Sequence, residues 1–161
     1  MPDKPFYLTT LCYIEKDDCY LMLHRTKKEN DINEGKWIGV GGKFEQGENA
    51  LQCARREILE ETGLYADHLH YEGIIHFHYH HMEDEDIFVY TCDDFTGRLK
   101  ECNEGTLAWI QKDKIMSLPL WEGDRLFLKR MLDRNEQPFV FDLEYDENGN
   151  LISATEKEGL I

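Results

Sequence analysis

Hydrophobic residues along the chain occur in short β-prone runs that charged or turn-forming residues separate. Such runs predict strands, and they fall at residues 6–14, 20–24, 71–81, 87–92, 106–110, 139–145 and 151–155. The turns predicted between consecutive strands are Lys16-Asp17-Asp18, the acidic residues 82–86, and Asn148-Gly149, which is a strong hairpin signal.

Two segments have apolar residues at helical spacing instead. Residues 49–62 are predicted to form a helix whose buried stripe contains Leu51, Ala54 and Ile58. Gly63 follows as the expected stop. A second helix is predicted at 122–134, with Leu126, Phe127, Met131 and Leu132 as its apolar residues. Strands mixed with two helices predict a mixed sheet with helices packed on its faces, and the 161 residues fit a single domain, 1–161.

Composition narrows the possible partners. The chain has 18 Lys and Arg residues against 33 Asp and Glu residues, a net charge of −15, which disfavours binding to a nucleic acid polymer. No apolar run is long enough for a membrane helix, and the polar start of the chain lacks a signal-peptide pattern. The five cysteines are odd in number and form no Cys-x-x-Cys pair, so we expect a reducing, cytoplasmic environment.

The first helix has a second face that burial does not explain. Glu57, Glu60 and Glu61 stand at i, i+3 and i+4, so their three carboxylates share one side of the helix and repel each other. One interpretation is a solvated acidic face that pairs with Arg55 and Arg56. The other is a site for a hard divalent cation, because Mg²⁺ takes carboxylate oxygens, waters and phosphate oxygens as ligands.

The residues around these glutamates resemble the Nudix signature at every fixed position. The matching residues are Gly42, Glu48, Arg56-Glu57, Glu60-Glu61 and Gly63, with aliphatic Ile58 and Leu64 at the two hydrophobic positions. The resemblance implies an α/β fold (α+β), the Nudix fold, in which a mixed β-sheet lies in an α/β/α sandwich that carries a loop-helix-loop unit. It also implies hydrolysis of a phosphoanhydride bond with Mg²⁺ or Mn²⁺ as cofactor.

The same resemblance implies a role for individual residues. Glu57, Glu60 and Glu61 would bind the metal, with the carbonyl of Gly42 as a further ligand. Glu48 would support the site from the start of the helix, and Arg56 would hold a glutamate in place by charge-assisted hydrogen bonds.

The general base varies within the family. It is either a glutamate of the helix or a glutamate in a later loop, for which Glu104 is the candidate here. An ordinary turn acid is the alternative interpretation of Glu104.

Outside the signature, the chain resembles the MutT branch, which includes enzymes that destroy oxidised purine nucleoside triphosphates. Arg25 and Lys43 are candidates for phosphate contacts, with solvated cations as the alternative. Trp121 is a candidate for stacking on a purine and Asp124 for hydrogen bonding to its edge, with a buried core tryptophan as the alternative. Thr10, on the first strand, is expected to point into the base pocket.

Two positions depart from the purine triphosphatase pattern. Some relatives have two adjacent acidic residues where this chain has Gly123-Asp124. They also often have a polar residue after the tryptophan of the Gly-Lys-Trp segment, where this chain has Ile38. Both departures weaken the assignment to oxidised guanine.

Three histidines alternate along one predicted strand. His76, His78 and His80 share a face, but the outer two are about 13 Å apart at Cα, so one metal ion does not easily take all three. We expect them to line a polar cleft or to face solvent, and a structural metal site is the less favoured alternative.

The leading hypothesis is a Mg²⁺-dependent nucleoside triphosphate pyrophosphohydrolase that releases a nucleoside monophosphate and pyrophosphate, with 8-oxo-dGTP as candidate substrate. The alternatives within the same chemistry are ADP-ribose, nucleotide sugars and dinucleoside polyphosphates. The alternative from another class is a non-catalytic nucleotide sensor. The expected partner is a nucleotide, and the expected oligomeric state is a monomer or a homodimer.

Overall fold

Side chains alternate along the first strand and so supply two different faces of one sheet. In β1 (Phe6–Lys16), Cys12 and Ile14 pack on one side, whereas Tyr13 packs on the other. The next strand, β2 (Cys19–Arg25), alternates in the same way between Leu21 and Met22. Both strands are therefore buried on two faces, which requires a packed layer on each side of the sheet.

The computed structural model describes residues 6–27, 30–80, 83–134 and 137–157. Within these ranges the remaining strands are β3 (Trp37–Ile38), β4 (Leu64–Tyr79), β5 (Asp84–Gly97), β6 (Gly105–Gln111), β7 (Phe139–Tyr145) and β8 (Leu151–Lys157). The helices are α1 (Ala50–Thr62), α2 (Glu122–Leu132) and a short 3₁₀ helix, Lys112–Ser117. None of the helices in the described ranges is long and apolar enough to cross a membrane.

The eight described strands form one mixed sheet in the order β3-β2-β1-β5-β4-β7-β8, and β6 pairs with β2 outside this path. β1 pairs with β5 and β4 pairs with β7 in parallel, whereas the other pairs are antiparallel. The predicted mixed sheet is confirmed.

The two helices cover opposite faces of this sheet. Ala54 and Ile58 of α1 join the core with Cys12 and Leu21, while Phe127 of α2 joins the core that contains Tyr13. A helix on each face gives the three-layer α/β/α sandwich that the resemblance to the Nudix signature implies.

Local signals fix both ends of α1. The side chain of Asn49 accepts a hydrogen bond from the backbone N–H of Gln52, and the side chain of Gln52 accepts one from Asn49 in return. Gly63 ends the helix with φ of 81°, a left-handed conformation that glycine adopts without strain. Ala54 and Ile58 are buried as predicted, but Leu51 is 40% exposed. Burial begins only at Cys53, so the first turn lies outside the packed part of the helix.

The second helix differs from its prediction in a similar way. α2 ends at Leu132 rather than at 134, and its buried apolar side chains are those of Phe127, Leu128 and Met131. Leu126 is 38% exposed and lies on the outer side. The 3₁₀ helix before α2 has no counterpart in the sequence prediction.

Two strands are longer than predicted. β4 begins at Leu64 rather than at 71, and β5 runs to Gly97 rather than to 92. Their outer halves are mostly polar and exposed, and their pairing contains register shifts between Ala66 and Gly73. The predicted loop 82–86 is partly strand, since β5 begins at Asp84. Residues 81 and 82 lie outside the described ranges.

Candidate active site

A cavity of about 600 Å³ opens between the loop before α1 and the start of α2. Three glutamates line one side and form what we call the carboxylate wall: Glu57, Glu61 and Glu104. Four apolar side chains line another part and form the apolar wall: Ile75, Phe77, Trp121 and Leu143. The cavity thus places acidic groups beside a surface that suits a planar apolar ring.

Arg56 organises the acidic face of α1. Its Nε and Nη2 donate to the two carboxylate oxygens of Glu48 at 2.6 and 2.9 Å. Its Nη1 donates to Glu57 at 2.8 Å and to Glu60 at 3.2 Å. These hydrogen bonds from Arg56 lower the pKa of Glu48. One guanidinium therefore holds three carboxylates in fixed relation to each other.

The neighbouring arginine takes no part in this network. Arg55 donates to the backbone carbonyl oxygen of Asp67 at 3.3 Å. The interpretation of a solvated acidic face that both arginines neutralise therefore does not describe α1.

The three glutamates of the helix are not equivalent. The side chain of Glu57 is 15% exposed, whereas that of Glu60 is 57% exposed and lies outside the cavity lining. Glu61 accepts a hydrogen bond from the backbone N–H of Gly41 at 2.9 Å. Burial raises the pKa of Glu57 in spite of Arg56. Burial and then the neighbouring Glu104 carboxylate raise the pKa of Glu61 well above its ordinary value.

Gly42 lies directly against one of these carboxylates. A Cβ atom added at Gly42 would be 2.6 Å from Oε1 of Glu57, so no side chain fits there without displacing that group. The Gly42 carbonyl oxygen accepts hydrogen bonds from the Thr10 backbone N–H at 2.9 Å and from the Cys53 thiol at 3.5 Å. The loop is thereby attached to both β1 and α1.

Glu104 reaches the site from the loop before β6. It lines the cavity, and its carboxylate forms an ion pair with Nη1 of Arg25 at 3.1 Å. Its backbone carbonyl also accepts a hydrogen bond from the Lys27 N–H at 3.2 Å. The side chain is therefore held beside Glu61, although one third of it remains exposed.

The two predicted phosphate-binding cations have different surroundings. The Arg25 side chain is 10% exposed and lies between Glu104 and Asp31, whose carboxylate accepts from Nε at 2.7 Å. Two carboxylates already neutralise it, so its surroundings favour a role in holding Glu104. Lys43 is exposed at the cavity and its Nζ lies 3.9 Å from the centre of the Tyr7 ring. It remains available to an anionic ligand.

Trp121 belongs both to the core and to the cavity. It is 6% exposed and its ring lies edge-on to Phe77 and Tyr145, with centroids 6.2 and 4.9 Å away. Its indole N–H donates to Oδ1 of Asn33 at 2.6 Å. Asp124 lines the same cavity, and burial raises its pKa to about 7. Both residues therefore line the cavity, although most of the indole is covered.

Thr10 points away from the apolar wall, contrary to the prediction. Its hydroxyl lies 3.4 Å from the Cys53 sulfur on α1. Because side chains alternate along a strand, it is Leu11 that packs toward the core of Trp121. The sequence predicted the position of Thr10 at the cavity but assigned its side chain to the wrong face.

The alternating histidines also point away from the cavity. Ile75 and Phe77 line it, so His76 and His78 occupy the opposite face of β4. Nδ1 of His76 lies 2.5 Å from Asp86, and Nδ1 of His78 lies 3.2 Å from Asp84. The expectation that these two histidines line the cleft is wrong, whereas the alternative that they face solvent holds in part, since their side chains are 32% and 43% exposed. His78 also lies 3.9 Å from Asp142 of β7.

In the part of the chain that the structure describes, no three His, Cys, Asp or Glu side chains already surround a common point as metal ligands would. The donor set nevertheless suits a hard cation. The carboxylates of Glu57, Glu61 and Glu104 meet at one cavity, and burial raises the pKa of Glu57 and Glu61. A divalent cation would relieve this crowding of acidic groups.

Sequence reasoning missed the polar residues of the loop between β2 and β3. Asn33 lines the cavity, and Asp31 links it to Arg25. The loop is charged and has no periodicity, and its only local signal is the pair of Asx residues two positions apart. Glu85, a half-buried acid of β5 at the cavity, falls in a loop of the sequence prediction.

Comparison with known proteins gives consistent matches. The family described as NUDIX domain matches residues 6–131. A Danio rerio protein named oxidized purine nucleoside triphosphate hydrolase is 38% identical over 108 residues, 66% of this chain and 69% of the relative. The Mus musculus protein of that name is 30% identical over 132 residues, 81% of this chain and 83% of the relative. The crystal structure of a mutator MutT protein from Bacillus halodurans matches with a TM-score of 0.84 at 26% identity, covering 94% of this chain and 97% of the other. The predicted fold class is thereby confirmed.

Proposed function

The chain belongs to the Nudix hydrolase family, and on that premise we propose that it is a Mg²⁺-dependent nucleoside triphosphate pyrophosphohydrolase. One observation supports this most directly: the carboxylate wall and the apolar wall line the same cavity of about 600 Å³. This volume lies in the range of small-molecule sites. A nucleotide held there would present its phosphates to the glutamates while its base contacts the apolar wall.

We propose that Glu57, Glu60 and Glu61 hold the metal ion. Their spacing on α1 supports this assignment, as do the hydrogen bonds that fix Glu57 and Glu60 to Arg56 and Glu61 to the Gly41 N–H. Bound Mg²⁺ or Mn²⁺ would neutralise phosphate oxygens and make a water more acidic. The Gly42 carbonyl is a further candidate ligand. Because it already accepts two hydrogen bonds, the longer contact from the Cys53 thiol would have to give way.

We propose Glu104 as the general base. It lies beside Glu61, and Arg25 holds it at 3.1 Å. From this position its carboxylate would take a proton from a water that attacks phosphorus. The alternative base is a glutamate of α1. Glu48 would act only through Arg56, which it fixes with two hydrogen bonds.

The substrate we favour is an oxidised purine nucleoside triphosphate such as 8-oxo-dGTP. The names of the two relatives support the class. In this chain the base would lie against Trp121, with Asp124 hydrogen bonding to its edge and Lys43 contacting phosphate. Asp124 changes its protonation near neutral pH, so it can act as donor or acceptor.

A substrate screen tests this proposal. The purified protein with Mg²⁺ should convert 8-oxo-dGTP to 8-oxo-dGMP and pyrophosphate faster than it hydrolyses dGTP, CTP, ADP-ribose, a nucleotide sugar or a dinucleoside polyphosphate. Preference for one of the other substrates would overturn the substrate class and leave the hydrolase standing. Nucleotide binding without turnover of any of them would indicate a sensor.

A variant pair tests the assignment of the metal site. Glu57→Gln should lower kcat by more than the roughly 10- to 100-fold that loss of an outer partner of a metal ligand causes. Glu144→Gln, which changes an exposed glutamate of β7, should leave kcat unchanged. Equal activity of both variants would contradict the role of Glu57.

A further inference from the structure

A continuous set of polar contacts joins the apolar wall to the carboxylate wall. It begins at Trp121, whose indole N–H donates to Oδ1 of Asn33 at 2.6 Å. The backbone N–H of Asn33 donates to Oδ1 of Asp31 at 3.1 Å. Asp31 accepts through Oδ2 from Nε of Arg25 at 2.7 Å, and Arg25 pairs with Glu104 at 3.1 Å. Four contacts thus connect Trp121, where the nucleobase is proposed to bind, to Glu104, the proposed general base.

Asp31 is the central member of this set. Its two carboxylate oxygens serve different partners, Oδ1 toward Asn33 and Oδ2 toward Arg25. Its side chain is only 6% exposed and that of Arg25 is 10% exposed. Water screens electrostatic interactions between such buried groups poorly. A change of charge or position at one end of the set therefore affects the other end more strongly than it would in exposed side chains.

The chemistry of the donors fixes the direction of each contact. An indole nitrogen only donates, so the amide oxygen of Asn33 faces Trp121 and its amide nitrogen faces Asp31, 3.5 Å away. An ionised carboxylate only accepts, which suits both Asn33 and Arg25. An asparagine at position 31 would present an NH₂ group to one of these donors and break the set.

The backbone holds the loop in place around Asp31. The Gly35 N–H donates to the Arg25 carbonyl at 2.7 Å, and the Arg25 N–H donates to the Lys36 carbonyl at 3.0 Å. The Lys27 N–H donates to the Glu104 carbonyl at 3.2 Å. The loop between β2 and β3 is therefore closed at its base and attached to the loop of Glu104.

We propose that Asp31 is a positioning residue that couples contact at the base site to the placement of the Glu104 carboxylate. Asn33 carries the coupling to Trp121, and Arg25 carries it to Glu104. This inference rests on the proposed function only for the role of Glu104 in hydrolysis. The coupling itself is a property of the folded chain.

Nuclear magnetic resonance tests the coupling without any substrate. The chain has three tryptophans, and Trp121→Phe identifies which indole N–H signal belongs to Trp121. Glu104→Gln should shift this signal in the otherwise unchanged protein but not in the Asp31→Asn protein. Glu34→Gln removes a charge from an exposed residue of the same loop and should leave the signal in place. An unchanged Trp121 signal in Glu104→Gln would overturn the proposal.

Kinetics with the preferred nucleotide tests the consequence. Asp31→Asn should lower kcat about 10- to 100-fold, as expected for a partner that orients a reacting group, with a smaller change in KM. In the Glu104→Gln background the same substitution should have no further effect on kcat. Asn33→Ala, which interrupts the set at a second place, should lower kcat in the same direction, and Glu34→Gln should not.

The outcomes separate the two claims. The proposal would be overturned if the losses of kcat caused by Asp31→Asn and Glu104→Gln were additive in the double variant. Equal activities of Asp31→Asn and Glu34→Gln would overturn it as well. Full activity of Glu104→Gln would remove Glu104 as the base and leave the Trp121 signal to decide the coupling, while Mg²⁺-dependent turnover would still support the proposed function. If the unmodified protein hydrolysed no nucleotide, the proposed function would fail, and the Trp121 signal would still decide the coupling.

Discussion

Two adjacent arginines of α1 make different contacts and allow a matched test at the scale of single residues. Arg56 donates to Glu48, Glu57 and Glu60, whereas Arg55 makes one contact to a backbone carbonyl. A lysine cannot reproduce the planar two-point contact with Glu48. We therefore expect Arg56→Lys to lower kcat/KM about 10- to 100-fold and Arg55→Lys to leave it unchanged.

Steady-state kinetics with Mg²⁺ and thermal unfolding of both variants make this comparison. Equal losses of kcat/KM in the two variants would contradict a specific role of Arg56. A loss in Arg56→Lys that only follows a lower Tm would show a structural role instead.

Asp124 predicts a pH dependence of stability. Burial raises its pKa from 3.8 to about 7, against the opposing effect of Lys36 and Arg125. The folded protein therefore keeps a proton that the unfolded chain has lost, and the resulting stabilisation is full below about pH 4 and disappears as pH rises through 7. Other buried acids contribute in the same direction. Asp124→Asn should therefore lose less stability than the unmodified protein between pH 5 and pH 8.

Urea unfolding at several pH values measures this difference. Asp113→Asn changes an exposed aspartate of the 3₁₀ helix and should follow the unmodified protein. If Asp124→Asn also followed it, the raised pKa would be contradicted.

Among the elements, α1 was predictable because its signals are local. Asn49 and Gly63 mark its ends, and both ends lie within one residue of the prediction. The acidic face was also visible, because i, i+3 and i+4 spacing fixes which side chains share a side. The exposure of Leu51 was not visible, because it depends on where the sheet ends beneath the helix.

The long strands β4 and β5 show the opposite situation. Their outer halves, near Tyr65 and Thr96, are polar and are held by pairing with each other across a bulged register. A strand that depends on its partner carries little signal of its own. The same reason explains the histidines and Thr10, for which alternation predicts shared faces but not which face meets the cavity.

The candidate site likewise contains residues that local sequence signals predicted and contacts that only the fold creates. The resemblance of the signature located Glu57 and Glu61, and it suggested Glu104. The contacts of Arg25 with Asp31 and Glu104 join two loops distant in sequence. Only the fold brings these loops together, so no spacing in the sequence could predict the set.

For the whole molecule, the large negative net charge opposes folding. A net charge of −15 on 161 residues repels itself in the folded state, and the carboxylate wall concentrates part of that charge at one cavity. Two distinct cation effects follow. Any salt should relieve the general repulsion by screening, whereas a divalent ion held by the carboxylates should stabilise the fold by binding.

Thermal unfolding separates these two effects. At equal ionic strength, Mg²⁺ should raise Tm more than Na⁺. At a Mg²⁺ concentration a hundred times its Kd, binding adds about 2.7 kcal/mol, which for a chain of this size raises Tm by roughly 5–10 °C. Glu57→Gln should lose the Mg²⁺-specific increase in Tm and keep the increase that both salts cause, while Glu144→Gln should keep both.

If Mg²⁺ and Na⁺ raised Tm equally in the unmodified protein, the stabilisation would be screening alone. The carboxylate wall would then hold no divalent ion in the absence of nucleotide, and metal binding would require the phosphates of the substrate as additional ligands.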